Sequence, residues 1–469
     1  MATRRRTSRK IKSSLGAGKE PPTRQPAHLR RDAKAIFRAA LASVRAEKVL
    51  PETISLETTK AGEWLRCAGK RFPLRPSGRL IVVGAGKASS HMARAAERLL
   101  GRRVDGGAVV TQRGHAVRCK RIEILEAGHP VPDEDGIEAA RTIGAWIDGA
   151  GEEDLVLCLI SGGGSALMPA PAEGVTLGEK RAATGALLKS GATINALNCV
   201  RKHLSRLKGG HIALRAAPAR LLTLAISDVI GDPLDVIASG PTCGDPTTFA
   251  DAERELKSHG VWKSLPPGIR RHLQKGIAGD IPETPDPADP LFERVHNVVA
   301  ANNETALKAA ACAARALGYR PMILTRRMQG EAREIGRFLA GLTDGVRGEG
   351  FPARPPVCLL LGGETTVTVR GKGIGGRCQE LALSFLGRIA DCDSVCLLSA
   401  GSDGRDGPSP TAGAIVDGGS MEILKKQGLD VGSFLSENDS YGYFNRFGGA
   451  FSLTPTGTNV MDIVVLLVC

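Results

Sequence analysis

"DLVLCLISGGGSALMPAPAEG", residues 154–174, decides the fold. An unbroken apolar run ends on Ser161 and three consecutive glycines, Gly162, Gly163 and Gly164, and a helix-like segment begins at Ser165. A short apolar run closed by a glycine turn reads as a strand buried on both faces of a parallel sheet. The unit recurs in "RLIVVGAGKASSHMARAAERLL" from residue 79 and in "ARLLTLAISDVIGDPLDVIASGPT" from residue 219, with "GGAVVTQRG" and "RIEILEAGHP" adding short strands between them. The pattern predicts an α/β fold with a mainly parallel sheet, in which ligands bind at the carboxyl ends of the strands. The glycines stand at those ends. Without Cβ atoms their N–H groups can surround an anion, which makes Gly84, Gly86, Ser161, Gly162, Gly163, Gly164 and Ser165 candidate nucleotide or phosphate contacts. A plain strand-to-helix turn with Ser165 as N-cap is the simpler alternative.

A chain of 469 residues is too long for one ordinary core, so at least two domains are expected. The composition shifts at "GIAGDIPETPDPADPLFERV", residues 276–295, where four prolines and five acids replace regular patterning. This sets the expected organisation: a basic extension over 1–31, an N-terminal α/β domain over 32–285, and a C-terminal α/β domain over 286–469, with a shared cleft. The formal charge of +14 suggests nucleic acid until it is mapped. Ten of the basic residues and a single acid lie in the first 31 positions, and the remaining charge is spread out with no basic-aromatic module. The extension reads as a disordered basic tail on a cytoplasmic protein. Its Arg- and Ser-rich, acid-poor composition leaves a mitochondrial address as the alternative. The eleven cysteines form no CxxC pair and the nine histidines no HxxxH or HxH, so no zinc site is expected. No apolar run reaches membrane-spanning length. Small molecules are the expected partners of a monomer or homodimer, with no nucleic acid and no membrane.

"VVGAGKAS", residues 82–89, fails the phosphate-loop pattern GxxxxGK[ST] at Ile81 and Ala88. What survives is Lys87 beside a glycine turn, placed to neutralise phosphate oxygens. "GKGIGG", residues 371–376, matches GxGxxG, but "TTVTVR" before it alternates as a half-exposed strand does, and the acids about 20 residues on, Asp391 and Asp393, precede the next apolar run and do not end it. Carboxylates at strand ends are more informative: Asp228, Glu364, Asp403 and Asp406 each follow an apolar run, the usual way magnesium is held for phosphoryl transfer. Arg377, just after the glycine run, can grip a carboxylate or phosphate with two parallel bonds. In "NALNCVRKHLSRLKGG", Asn198 and Arg201 share a helix face and are candidate substrate contacts, with a solvated basic helix as the alternative.

In order along the chain, "GAGKAS", "SGGGSALMPAP", "NxxRKHLSxLKGG", "ISDVIGDPLDVIASGPT", "LGGETTVTVRGKGIGGRCQELAL" and "AGSDGRDGPSPTAGA" resemble the type II glycerate kinases, which carry a C-terminal MOFRL domain. The likeness runs from about residue 33 to the end. It implies a Rossmann-like, doubly wound N-terminal sheet with helices on both faces, a mixed-sheet MOFRL domain, and an active site in the cleft. It also implies ATP-dependent phosphorylation of (R)-glycerate to 2-phosphoglycerate with Mg2+, with Lys87, Asp228 and Arg377 catalytic; of the strand-end acids, Asp228, Glu364 and Asp403 are the expected metal carboxylates. The rivals are an NAD(P)H-dependent hydroxypyruvate reductase, a label that relatives have carried, and a non-enzymatic sensor of small acids or nucleotides.

Overall fold

A computed structural model describes residues 25–389 and 393–469. Three sheets organise them. A small antiparallel meander joins β1 (Ile54–Thr59), β2 (Gly62–Cys67) and β3 (Lys70–Leu74). The second sheet is wholly parallel and contains β4 (Leu80–Ala85), β5 (Val104–Gln112), β6 (Glu123–Ala127), β7 (Leu155–Ser161), β8 (Arg220–Ile226) and β9 (Val295–Ala301). Its spatial order is β6-β5-β4-β7-β8-β9, the doubly wound arrangement with a switch point between β4 and β7. Alternation along β4 explains the layers. Leu80 and Val82 join the core under helix Ser89–Leu100, while Ile81 and Val83 join the core under helix Glu134–Asp148.

The third sheet is mixed: β10 (Arg320–Met328), β11 (Val357–Gly363), β12 (Val395–Gly401), β13 (Gly413–Asp417), β14 (Ala450–Phe451) and β15 (Asp462–Val468), in the order β10-β11-β15-β12-β13-β14. The last strand of the chain is central and antiparallel to both neighbours. Its first residue, Asp462, therefore lies opposite Gly363 and Gly401, at the edge where β11 and β12 end. Two α/β units with these sheets match the expected fold class.

The expected domain limits need three corrections. Helix Pro26–Ser43 begins inside the stretch read as a disordered extension, because Leu29, Ile36 and Phe37 form a fully buried face. That face packs on helix Asn303–Ala316 and on β12 and β15, so the first helix belongs with the C-terminal sheet. Arg30 pairs with Asp417, and the Tyr319 hydroxyl donates to Asp32 at 3.0 Å. At the other limit, β9 lies beyond residue 285 yet pairs with β8, so the N-terminal sheet claims the chain through Ala301. The proline-rich stretch is an irregular crossover within one domain; loop composition does not reveal whether the chain leaves the sheet. Residues 1–24 of the extension lie outside the described residues. "TTVTVR" is also not a strand: it makes one isolated bridge, Glu331 to Thr366. No helix among the described residues is long and apolar enough to cross a membrane.

Candidate active site

The loops after β4 and β7, at the switch point, face the ends of β11 and β12 and the start of β15 across the cleft. Lys87 follows β4, and its Nζ meets Asp403 Oδ2 at 2.9 Å across that cleft. Burial opposes ionisation of Asp403, but the Lys87 charge and hydrogen bond, with the Arg405 N–H at 3.0 Å, hold its carboxyl below the usual range. Asp228 follows β8 and accepts from Asn459 Nδ2 at 2.8 Å. Burial pushes Asp228 up to about 6, with Glu364 and Asp403 raising it and Lys87 lowering it. Arg377 opens helix Arg377–Leu386 and grips Asp462 with two bonds, Nε at 2.6 Å and Nη2 at 2.8 Å, while Nη1 meets Glu364 at 3.0 Å. Burial opposes the Arg377 charge and Asp462 outweighs it, so the guanidinium stays protonated. Lys87, Asp228, Glu364, Arg377 and Asp403 thus converge on one cleft. The free carboxylate fork expected of Arg377 is already filled by Asp462.

The triple glycine yields first to protein groups. A Cβ on Gly162 would collide with the Asp228 carboxylate, one on Gly163 would reach His129 at 2.9 Å and Lys87 Cγ at 3.3 Å, and one on Gly164 would press on the Ala85 carbonyl at 2.8 Å. The glycines admit the Asp228, His129 and Lys87 side chains to the switch point. Gly84 and Gly86 behave alike, approaching Leu159 and Ser161. Ser161 is fully buried and its Oγ accepts from the Ala88 N–H at 2.9 Å, so it fixes the Lys87 turn and cannot reach a phosphate. The helix after the glycines is a single turn, Gly164–Leu167, capped by Gly163 in the left-handed region. Ser165 is therefore no N-cap; its Oγ lies 3.0 Å from Ser239 Oγ.

Asn198 and Arg201 do share a face of helix Ile194–His203, and both line a separate cavity of about 420 Å³ in the N-terminal domain. Asp406 is structural: its carboxylate receives the Cys378 and Gln379 N–H groups at 3.0 and 2.8 Å and anchors the helix that carries Arg377. The glycines of 371–376 pack against Glu437, Asp439, Ser440 and Asp406, which leaves no room there for a pyrophosphate.

Three residues of the site escaped sequence reading. His129, in "AGHP", is pushed down to about 4, first by burial and then by Lys87, so it is a neutral imidazole. Asn459 and Asp462 precede or begin an apolar strand. Only the antiparallel direction of β15 brings them to the strand-end edge, and no local signal marks that direction. Met461 between them has φ 69°, a conformation that the surrounding loop must enforce.

No three His, Cys, Asp or Glu side chains among the described residues form a metal-ligand group. Magnesium needs fewer, commonly one or two carboxylates with water and substrate phosphate oxygens. Glu364 suits such a cation: burial and the neighbouring Asp462 and Asp403 carboxylates hold its carboxyl above the usual range, the chemistry that a divalent ion relieves.

Two family models match the chain: a domain of unknown function (DUF4147) over residues 32–274 and the MOFRL family over 357–462. A Pyrococcus horikoshii protein named glycerate 2-kinase is 43% identical over 85% of this chain and 89% of its own. An Agrobacterium vitis protein named putative hydroxypyruvate reductase is 46% identical over 85% and 89%. The crystal structure of a Thermotoga maritima glycerate kinase superposes with a TM-score of 0.82 at 39% identity, covering 95% of this chain and all of that one.

Proposed function

The chain belongs to the glycerate kinase family that carries a MOFRL domain, and on that premise we propose that it transfers the γ-phosphoryl group of ATP, with Mg2+, to the 2-hydroxyl of (R)-glycerate, releasing 2-phosphoglycerate. One observation carries this reading: Lys87 and Asp403 join across the cleft beside Asp228, whose carboxyl burial raises to about 6. A base with a pKa near the working pH combines the right protonation state with useful basicity. Asp228 takes the proton of the attacking hydroxyl, and Asn459 holds its carboxylate in place. Lys87 leaves Asp403 for the phosphoryl oxygens as charge develops there. Arg377, fixed by Asp462, supplies the second cation. Asp403 and Glu364 are the carboxylates that would hold Mg2+, with Asp228 left free as the base, and the ion would neutralise phosphate charge. Positioning and charge neutralisation then supply most of the catalysis.

The reductase reading has a relative's name behind it and little chemistry. In this sheet order a nicotinamide dinucleotide would lie on the β4 turn, with an acid ending β5 for the ribose, and β5 ends on Gln112. The test is ADP release with (R)-glycerate, (S)-glycerate and hydroxypyruvate, alongside NAD(P)H oxidation, with NMR of the product. Glycerate-dependent ADP release giving 2-phosphoglycerate is expected. Hydroxypyruvate-dependent NAD(P)H oxidation without it would overturn the assignment.

A further inference from the structure

The cavity lined by Asn198 and Arg201 lies beside the catalytic cleft, with His129, Gly163 and Ser165 at the shared wall. No Asp or Glu lines it, yet two buried lysines and the half-buried Arg201 do. Lys208 is 1% exposed and donates only to the Met168 carbonyl at 2.6 Å, and Lys180 donates to the Pro169 and Leu204 carbonyls at 2.7 and 2.8 Å. Burial alone acts on the Arg201 guanidinium and lowers it, with no carboxylate to offset that. Neighbouring Lys202, by contrast, has Asp245 at 3.3 Å. Asn198 is 4% exposed, its Oδ1 accepts from Ser239 at 3.0 Å, and its Nδ2 has no partner. Buried cations without a counter-charge are costly, and an anion seated among them relieves that cost.

The mouth has a different character. Val131, Leu188 and Ile194 are the three most exposed large apolar side chains among the described residues of the N-terminal domain, at 63%, 58% and 52%, and all three line this one cavity. Exposed apolar side chains gathered at one opening mark a binding site. The cavity, of about 420 Å³, thus pairs a cationic floor with an apolar rim.

Neither substrate of the kinase reading matches this pattern. The 2-hydroxyl of glycerate is on the carbon that bears its carboxylate, so an acid held at Lys208 would keep that hydroxyl in the cavity. The two sites are electrostatically separate: Arg201 is the charge that acts on Lys208, whereas Lys87, Glu364 and Asp403 act on Asp228. Glycerate also has no apolar face to set against the rim. The anions of ATP are its phosphates, which the reaction needs at Lys87, and its base and ribose offer the lysines no charge.

We propose that this cavity is a binding site for a third molecule, a monocarboxylate with an apolar body, whose carboxylate meets Arg201, Lys208 and Lys180 and whose body fills the mouth. Nothing in phosphoryl transfer calls for such a ligand. It rests against Gly163 and Ser165, and Gly163 backs onto the catalytic lysine, since a Cβ there would reach Lys87 Cγ at 3.3 Å. Occupancy is therefore placed to bear on Lys87.

Octanoate is a suitable probe. Calorimetry on the full chain should show octanoate bound at one site, with a Kd changed less than twofold by saturating ADP or glycerate. Octanol, which lacks the charge, and acetate, which lacks the body, should each bind at least tenfold more weakly. Arg201→Met should weaken octanoate at least tenfold. Gly185 gives a second variant that spares the fold: it lines the cavity from helix Leu177–Lys189, and a Cβ there meets nothing within 4 Å. Gly185→Trp should fill the mouth and abolish octanoate binding, and Gly185→Ala should match the parent; melting curves check that the variants fold. A parent that binds no octanoate, octanol that binds equally well, or octanoate binding that survives both Arg201→Met and Gly185→Trp would overturn the proposal. Displacement of octanoate by ADP or glycerate would return the cavity to the substrates and overturn it too. Octanoate binding is read without turnover, so a chain that never phosphorylates glycerate would sink the kinase reading and leave this site standing.

Discussion

Replacing Asp228 by Asn should abolish turnover and stabilise the protein at once. The carboxyl is raised from 3.8 to about 6 in the folded chain, chiefly by burial. Between these values the folded state binds the proton that the unfolded state has released, so stability falls as pH rises through that window. A rise of that size corresponds to roughly 3 kcal/mol at full effect. That penalty is fully present above pH 6 and vanishes below the unfolded value. Asparagine is close in shape to the protonated acid, and its oxygen still accepts from Asn459. Melting curves of parent and Asp228→Asn should therefore coincide near pH 3.5 and separate by several degrees at pH 7.5, the variant melting higher. In the parent, kcat/KM for glycerate should rise with pH through about 6. A variant with no gain at pH 7.5, or one equal at both pH values, would refute the burial argument. Retained turnover would refute the role as base.

Three further outcomes follow from the same geometry. Lys87→Ala should lower kcat about 10²–10³-fold with little change in melting temperature, because its partner Asp403 stays partly solvated, at 19% side-chain exposure; steady-state kinetics beside a melting curve checks this. Arg377→Lys should lose nearly as much activity as Arg377→Ala, since an ammonium cannot reproduce the two bonds to Asp462. Arg377→Ala should also cost roughly 3–5 kcal/mol in urea unfolding, because Asp462 is 1% exposed and loses its main counter-charge. Deletion through residue 31 should lower the melting temperature, since it removes the fully buried Leu29 and the Arg30–Asp417 pair, a loss of roughly 3 kcal/mol or more. A truncated chain that melts with the parent would mean that the first turns of helix Pro26–Ser43 contribute nothing.

Much of the site was legible because parallel strands mark it twice, once by the apolar run and once by what stands at its end. Lys87, Asp228, Glu364 and Asp403 were read in that way, and all four reach one cleft. The same reasoning misjudged Asp406, which has an identical local context and binds two helix N–H groups instead. Its reading of the triple glycine was incomplete. A missing Cβ announces a close approach without saying what approaches, and here Asp228, His129 and Lys87 arrive from other loops.

By itself the sequence determined the layered α/β class, the strand-end location of the charged residues and the motifs that carry family membership. These are written in periodicity, in turn chemistry and in neighbours a few residues apart. Tertiary structure alone decided that the first helix crosses to the last sheet, that β9 stays with the first sheet, and that β15 runs backwards to deliver Asp462 and Asn459. It also decided that four cations, Lys180, Arg181, Arg201 and Lys208, and an unpaired amide share one cavity. Each of these depends on which surfaces pair after collapse, a choice made by burial and by charges brought together from distant segments, and local patterning does not encode it.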